Sequence, residues 1–382
     1  METPLVSVIM SNYNGERLIR RSIKSVLRQT YKNFEFIIID DGSTDGSIDI
    51  INSFSDERIK KFFFKFNENM CYAFNFGLAR GNGKYFARID SDDTWEPEKL
   101  EKQIAYLESH EKCGACFTLV TVVDENDRKL TAEDTDRVAL FETGNRSRSE
   151  WLNYFFYKGS CLCHPSAVFR KSIVDKVGIY NYALRQIQDY DLWVRIVKEA
   201  DIYVIQERLT NYRWFCDGSN ASSPSPGVNN RSDYEFGYVI AHFFDDMTDD
   251  DFIDAFGQEL IHKDAMQNNE LEYEKIFLLL KPTFCGNNHR ERVMDMLMKM
   301  LQNTSKRKIL REKYNFTQID FYKLSSEPMY FSGYTNTELA TEEDVFRKNR
   351  LAFRVWLYKH LPTPVWKIGA GIYHFVSRGR HE

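Results

Sequence analysis

Two apolar runs, Val6-Ser7-Val8-Ile9-Met10 and Phe34-Glu35-Phe36-Ile37-Ile38-Ile39, bracket a segment of a different period. Between them, Leu18, Ile19, Ile23, Val26 and Leu27 recur at helical spacing within Arg17 to Gln29. Ser47 to Phe54 then reads as a second helix, and Ile59 to Phe66 as a third strand. The first two strands are nearly all apolar, whereas a sheet with one wet face alternates. This pattern predicts an α/β fold: a mostly parallel sheet covered on both faces by helices. In open sheets of this kind, ligands sit beyond the carboxyl ends of the strands. Tyr13, Asp41 and a cluster starting at Asp90 all fall at such ends, so one crevice can collect them.

That cluster follows Gly83-Lys84-Tyr85-Phe86-Ala87-Arg88-Ile89, which reads as a buried strand. Asp90-Ser91-Asp92-Asp93 places three carboxylates in four residues. Like charges this close repel, so the cluster calls for a compensating cation. Thr94-Trp95-Glu96-Pro97 comes next and could project the carboxylates into a cleft. Mg²⁺ and Mn²⁺ prefer oxygen ligands, and take only one or two from protein when a diphosphate supplies others. The competing reading is a solvated acidic turn.

Composition narrows the class. The chain has 382 residues, 43% hydrophobic and 15% aromatic, ample for a core. Such a length suggests about two or three domains. The net charge of −5 gives no case for nucleic-acid binding. Seven cysteines, an odd count spread thinly, argue for a reducing compartment. Met1-Glu2-Thr3-Pro4 lacks the basic and apolar regions of a signal peptide. No apolar run approaches the roughly 20 residues a spanning helix needs. The expected location is cytoplasmic, soluble or peripheral on the inner face of the plasma membrane.

Four segments together resemble glycosyltransferase family 2, inverting enzymes of the GT-A (Rossmann-like) fold. They are Val6 to Asn14, Ile39 to Asp45, Gly83 to Asp93, and Gln188-Asp189-Tyr190-Asp191-Leu192-Trp193. Each motif alone is weak; four in family order over residues 4–215 are specific. The resemblance implies a GT-A catalytic domain over 1–215 and a nucleoside diphosphate-sugar donor, with a UDP-sugar expected. It also implies Mn²⁺ or Mg²⁺ as cofactor.

The roles divide as follows. Tyr13 offers a ring face for the base, or is a core aromatic. Ser11 could reach the base through its backbone. By resemblance Asp41 accepts the imide N–H of uracil, while Asp40 holds the loop. Gly42, Ser43 and Asp45 read as turn and cap residues. Asp90-Ser91-Asp92 fits the family's Asp-x-Asp: Asp90 on the ribose side, Asp92 on a metal that bridges both phosphates and neutralises the leaving diphosphate. Asp93 reads as a cap for the next turn. Arg88 either approaches a phosphate or pairs with the cluster. Between Asn67 and Gly83, Asn75 and Gly77 fit the family's Asn-x-Gly step, but Met70-Cys71 replaces its small glycine. That departure leaves the donor sugar open, with Asn69 a candidate contact.

Asp189 is the expected catalytic base. It opens a probable helix, whose dipole favours the anion, and an ionised carboxylate can take the acceptor's proton. The family usually has Glu-Asp here; this chain has Gln188-Asp189. Asp191 competes, yet lies about 200° round the helix. The resemblance places His164 on the acceptor side, as a hydrogen-bonding group or a satisfied half-buried histidine. Trp193 could form a platform for the acceptor sugar, or pack in the core. Cys113, Cys116, Cys161 and Cys163 could in principle bind zinc. Against this, Cys113 and Cys116 lie on a probable strand, where three residues apart point to opposite faces.

Beyond residue 215 composition shifts. Residues 216–231 are rich in Ser, Pro, Gly and Asn and read as a flexible loop. Residues 232–343 form a largely helical C-terminal region. Residues 344–382 read as a basic amphipathic tail, mixing Lys and Arg with Trp356, Trp366, Tyr373 and Phe375. That mixture suits an anionic membrane surface, or a helix packed on the domain with a solvated basic face. The expected function is an inverting, metal-dependent hexosyl- or N-acetylhexosaminyltransferase. Its acceptor would be a hydroxyl of a polysaccharide or lipid-linked oligosaccharide. Gln188 keeps open an alternative, a catalytically impaired nucleotide-sugar-binding protein. A nucleotidyltransferase is disfavoured because no Gly-rich phosphate loop opens the chain.

Overall fold

The computed structural model describes residues 3–223 and 225–326. The tail at 344–382 and residues 327–343 of the helical region lie outside the described residues. One sheet contains β1 (Val6–Asn12), β2 (Phe34–Asp40), β3 (Ile59–Phe63), β4 (Tyr85–Asp90), β5 (Thr94–Trp95), β6 (Cys113–Val123), β7 (Val168–Arg170) and β8 (Asp201–Arg213). Its order is β3-β2-β1-β4-β7-β6-β8-β5. β1 to β4 pair in parallel. β7 is antiparallel to β4 and β6, so β6 regains the direction of β4, and β8 follows it in parallel. Only β5 and β7 oppose the rest, which gives the mostly parallel sheet expected from the apolar strands.

Helices α1 (Ile19–Leu27), α2 (Ser47–Asn52), α3 (Met70–Leu78), α4 (Lys99–Ser109), α5 (Arg137–Leu140), α6 (Arg148–Lys158), α7 (Lys171–Val177) and α8 (Gln188–Glu199) flank the strands. After β8 come α9 (Pro226–Ala241), α10 (Asp249–Phe256), α11 (Leu271–Leu279), α12 (Arg290–Gln302), α13 (Thr304–Glu312) and α14 (Gln318–Ser325). Helix α9 begins inside the stretch read as a loop. Ser225 caps it, its hydroxyl accepting from the Val228 N–H at 3.3 Å, and Pro226 occupies the first turn, where its missing N–H is harmless.

Strand residues alternate between two cores, as the two-residue period demands. Val6, Val8, Met10, Phe36, Ile38, Ala87 and Ile89 face α1 and α4. Ile9, Ile37, Ile39 and Phe86 face the opposite core, with α3, α6 and α8. By the same parity Arg88 and Asp90 share the face of Phe86. The second core does not stop at residue 215. Phe156 of α6 meets Phe243, Phe244 and Phe256 at centroid distances of 5.2, 5.1 and 5.4 Å. The helical region therefore shares its core with the sheet.

Phe156 is fully buried, so Phe156→Ala should cost about 3–5 kcal/mol by loss of contact and an unfilled cavity. Urea unfolding should show sheet and helical region destabilised together; two transitions, with only one shifted, would contradict a shared core.

Candidate active site at the carboxyl edge of the sheet

Register brings the strand ends together. Ser11 lies opposite Ile39 and Asp90, and Asn12 opposite Asp40. Tyr13 follows on the loop, half exposed, with its ring available. Asp40 is buried and accepts from Asn12 Nδ2 (2.8 Å), Ser43 N (2.9 Å) and Ser43 Oγ (2.7 Å), so it does hold the loop. The Asp41 carboxylate accepts backbone N–H groups of Glu68 (2.8 Å) and Asn69 (3.0 Å). Burial pushes it above the usual carboxylate range even so. The turn between these partners needs Gly42: its φ is +77°, and a Cβ there would lie 2.7 Å from the Phe66 carbonyl carbon. Asn69, also at positive φ, caps α3 by accepting from Cys71 N.

Arg88 occupies the centre, 1% exposed. Its Nε and Nη2 donate to Asp90 Oδ1 at 3.0 and 2.8 Å. Nη1 donates to His164 Nε2 at 2.9 Å and Nη2 to Met70 Sδ at 2.9 Å. The guanidinium lies 4.7 Å from the Phe74 ring centroid. Arg88 thus pairs with the acidic cluster, one of its two expected roles.

A guanidinium only donates, so His164 Nε2 must accept and the ring's proton sits on Nδ1. Burial, then the Arg88 charge, holds His164 well below its ordinary pKa, so it is neutral. Tyr180 Oη completes the clamp, 2.8 Å from Nε2. The Nδ1–H faces Asp189 Oδ2 at 3.9 Å, just beyond hydrogen-bond reach. Burial pushes Asp189 up to about 6, against the Tyr190 N–H and the Arg88 charge, which draw it down. Its neighbour differs. Asp191 is paired with Arg195 at 2.6 and 3.0 Å, and Arg195 also donates to the carbonyls of Val177, Gly178 and Ile179. Asp191 therefore anchors the end of α7 and stands apart from the His164 cluster.

One open choice is decided and two other expectations change. Trp193 is fully buried, edge-on to Phe117 (4.8 Å) and His164 (5.6 Å), so its ring supports the histidine and no sugar can stack on it. Asp93 does not cap the next turn; it reaches across to β8, where its Oδ1 accepts from Arg213 N at 2.7 Å. Cys113 and Cys116 fall in the same core, not on opposite faces, because the register slips at Gly114 and adds one residue to the strand. Cys161 and Cys163 lie in other clusters, all four thiols are free, and no zinc site forms among them.

A divalent ion bridging a diphosphate needs one or two free carboxylates. Asp90 Oδ1 is committed to Arg88, while the Asp92 carboxylate has no cationic side chain bonded to it among the described residues. Burial and the Asp90 charge push Asp92 up to about 6, the mark of a carboxylate short of positive charge. Its backbone is fixed, because the Asp92 carbonyl accepts from Arg213 Nε at 2.8 Å. Among the described residues no group of three or more His, Cys, Asp or Glu forms a full cage. The donor set fits an ion shared with a substrate.

Sequence reasoning missed Arg213, Tyr180 and Glu235. Glu235, on α9 and 1% exposed, accepts the N–H groups of Arg185, Gln186 and Ile187 at 2.9, 2.7 and 3.1 Å, fixing the approach to Asp189. No local pattern marks these residues, since each acts on a partner distant in sequence.

Known proteins share this frame. The model for glycosyl transferase family 2 matches residues 7–178. EpsE of Bacillus subtilis, a glycosyltransferase by name, is 34% identical over 237 residues, covering 59% of this chain and 79% of EpsE. MJ1057 of Methanocaldococcus jannaschii, an uncharacterized glycosyltransferase, is 32% identical over 218 residues, covering 56% and 72%. Among solved structures, S. aureus TarS 1–349 in complex with UDP-GlcNAc superposes with a TM-score of 0.53 at 18% identity, covering 84% of this chain and 89% of that one. Identity that low speaks for the GT-A fold alone. Together with the EpsE match, the sheet and its loops place the chain in glycosyltransferase family 2.

Proposed function

We propose that the protein is an inverting, metal-dependent glycosyltransferase that moves a hexosyl or N-acetylhexosaminyl group from a UDP-sugar to a hydroxyl of a polysaccharide or lipid-linked oligosaccharide. One observation carries this reading. Of the two carboxylates opening α8, Asp191 is neutralised by Arg195, whereas Asp189 has no Lys or Arg ion pair among the described residues and is poised at about 6 beside a neutral histidine. A base poised near neutrality combines the ionised form with useful proton affinity.

Tyr13 stacks on the base. Ser11 contacts it through its backbone, and Asp41 accepts the imide N–H with the lone pairs its two backbone bonds leave free. TarS, of the same fold, was solved with UDP and with UDP-GlcNAc, which favours a uridine donor here. Asp90, fixed by Arg88, faces the ribose, and Asp92 would hold Mn²⁺ or Mg²⁺. The ion's chemistry is to neutralise the departing diphosphate. Asp189 takes the proton from the acceptor hydroxyl as its oxygen attacks the anomeric carbon. The C–O bond to the diphosphate breaks on the opposite side, so configuration inverts. His164 Nδ1–H, 3.9 Å away, orients the carboxylate once the cleft closes on substrate.

Asp92→Ala should lower transfer at least about a hundredfold, in line with other charge-stabilising groups. Calorimetric titration of Mn²⁺ into the UDP complex should lose its signal in that variant. Full activity of metal-stripped protein in EDTA would contradict the assignment.

Asp189→Asn should retain UDP binding and lose about 10² to 10⁴-fold in turnover. As pH falls through about 6 the carboxylate takes up a proton and can no longer accept one, so wild-type kcat/KM should fall on the acid side with that apparent pKa. At saturating Mn²⁺, which keeps Asp92 ionised, the limb should be absent from the residual rate of Asp189→Asn, while Asp191→Asn should keep it.

A further inference from the structure

With Trp193 buried, the cleft needs another surface for the acceptor, and an exposed pair of aromatic rings lies on the two segments that lead to Met70 and to Asp189. Tyr72 and Tyr182 are 43% and 58% exposed, with centroids 6.0 Å apart and planes inclined at 49°. Neither hydroxyl has a protein partner among the described residues. Tyr72 sits in the first turn of α3, directly after Met70, which touches Arg88, and Cys71, whose thiol feels the charge of Asp189. Tyr182 sits on the loop that runs into α8 and ends at the base itself.

That loop is held rigid. Asn75 bonds both backbone groups of Tyr180 (2.9 and 3.1 Å), the Cys71 thiol donates to the Leu184 carbonyl (3.1 Å), and Glu235 binds the last three N–H groups before α8. Two half-exposed rings, one on helix α3 and packed edge-on against Phe64, the other on a loop fixed at both ends, are a preorganised binding surface, since little entropy is lost when a ligand settles on them. We propose that Tyr72 and Tyr182 form an acceptor subsite for a saccharide. The C–H face of a pyranose one unit from the reacting sugar packs on the rings. Its hydroxyls exchange hydrogen bonds with the two free phenols and with exposed Arg185. The inclined faces suit a puckered sugar ring, and the free phenols suit its hydroxyls, as an acyl chain would not. This rests on the transferase reading above and adds a substrate class: the acceptor presents at least two sugars, the first donating its hydroxyl to Asp189.

The test uses the full chain with UDP and Mn²⁺, and a panel of soluble mono-, di- and tetrasaccharides read by saturation-transfer NMR. Ring C–H protons should receive saturation, with disaccharides binding more tightly than monosaccharides. Tyr72→Ala/Tyr182→Ala should weaken binding about tenfold, the scale of two aromatic contacts. Tyr→Phe at both positions should recover most of it, because the ring faces remain. Tyr322→Ala, at a still more exposed tyrosine on α14, should change nothing. Saccharide binding absent from the wild type, or unchanged in the double alanine variant, overturns the subsite. Calorimetry of UDP alone is read in parallel. If UDP binds and no saccharide does, the subsite fails by itself; if UDP does not bind, the transferase reading fails.

Discussion

A single buried guanidinium organises this active site. Removing an ion from water costs several kcal/mol unless it is paired and hydrogen-bonded, and Arg88 meets both conditions inside the sheet. Its position follows from strand parity: Phe86, Arg88 and Asp90 share a face, so a cation two residues before the acidic motif must lie beneath it. Three consequences follow. Asp90 is held in place, His164 is forced to carry its proton on Nδ1, and Asp189 is drawn down towards neutrality from where burial alone would leave it. The proposed donor and acceptor sides thus meet at one side chain.

Two further anchors show how the rest of the chain supports that centre. Arg213, 2% exposed, ties the metal motif to β8 through the Asp92 carbonyl and through Asp93. Glu235 ties α9 to the segment before Asp189, so the C-terminal helices help to place the base. Gln188, where the family usually has Glu, is buried, with its Oε1 unpartnered among the described residues. A glutamate there would put a second buried carboxylate next to Asp189 and raise both pKa values. The group facing Asp189 is His164.

Much of the frame was legible in the sequence because it is local. Apolar runs gave β1 and β2 to within two residues of their observed ends, and helical spacing gave α1 and α2. The loops at the strand ends followed from those strands, and Asp40 was recognisable as a loop holder. What stayed hidden depends on contacts between distant segments. Arg88 and His164 are 76 residues apart. Asp189 and Asp191 look alike until Arg195 is seen to neutralise one of them. Trp193 looks available until Phe117 and His164 pack against it. The pointing of Cys113 and Cys116 was misread because a one-residue slip at Gly114 leaves no mark that strand periodicity can detect.

Arg88 sets the tautomer of His164 and, through its charge, lowers the proton affinity of both His164 and Asp189. Nitrogen-15 NMR of histidine-labelled protein reads this directly, with the His164 signals assigned by their loss in His164→Gln. One histidine should stay neutral and Nδ1-protonated from pH 5 to 8, and Arg88→Met should raise its pKa and free Nε2 to share the proton, with burial still holding it below the ordinary value. A His164 that titrates near the ordinary value of 6.5 in the wild type, or carries its proton on Nε2, would contradict this role of Arg88.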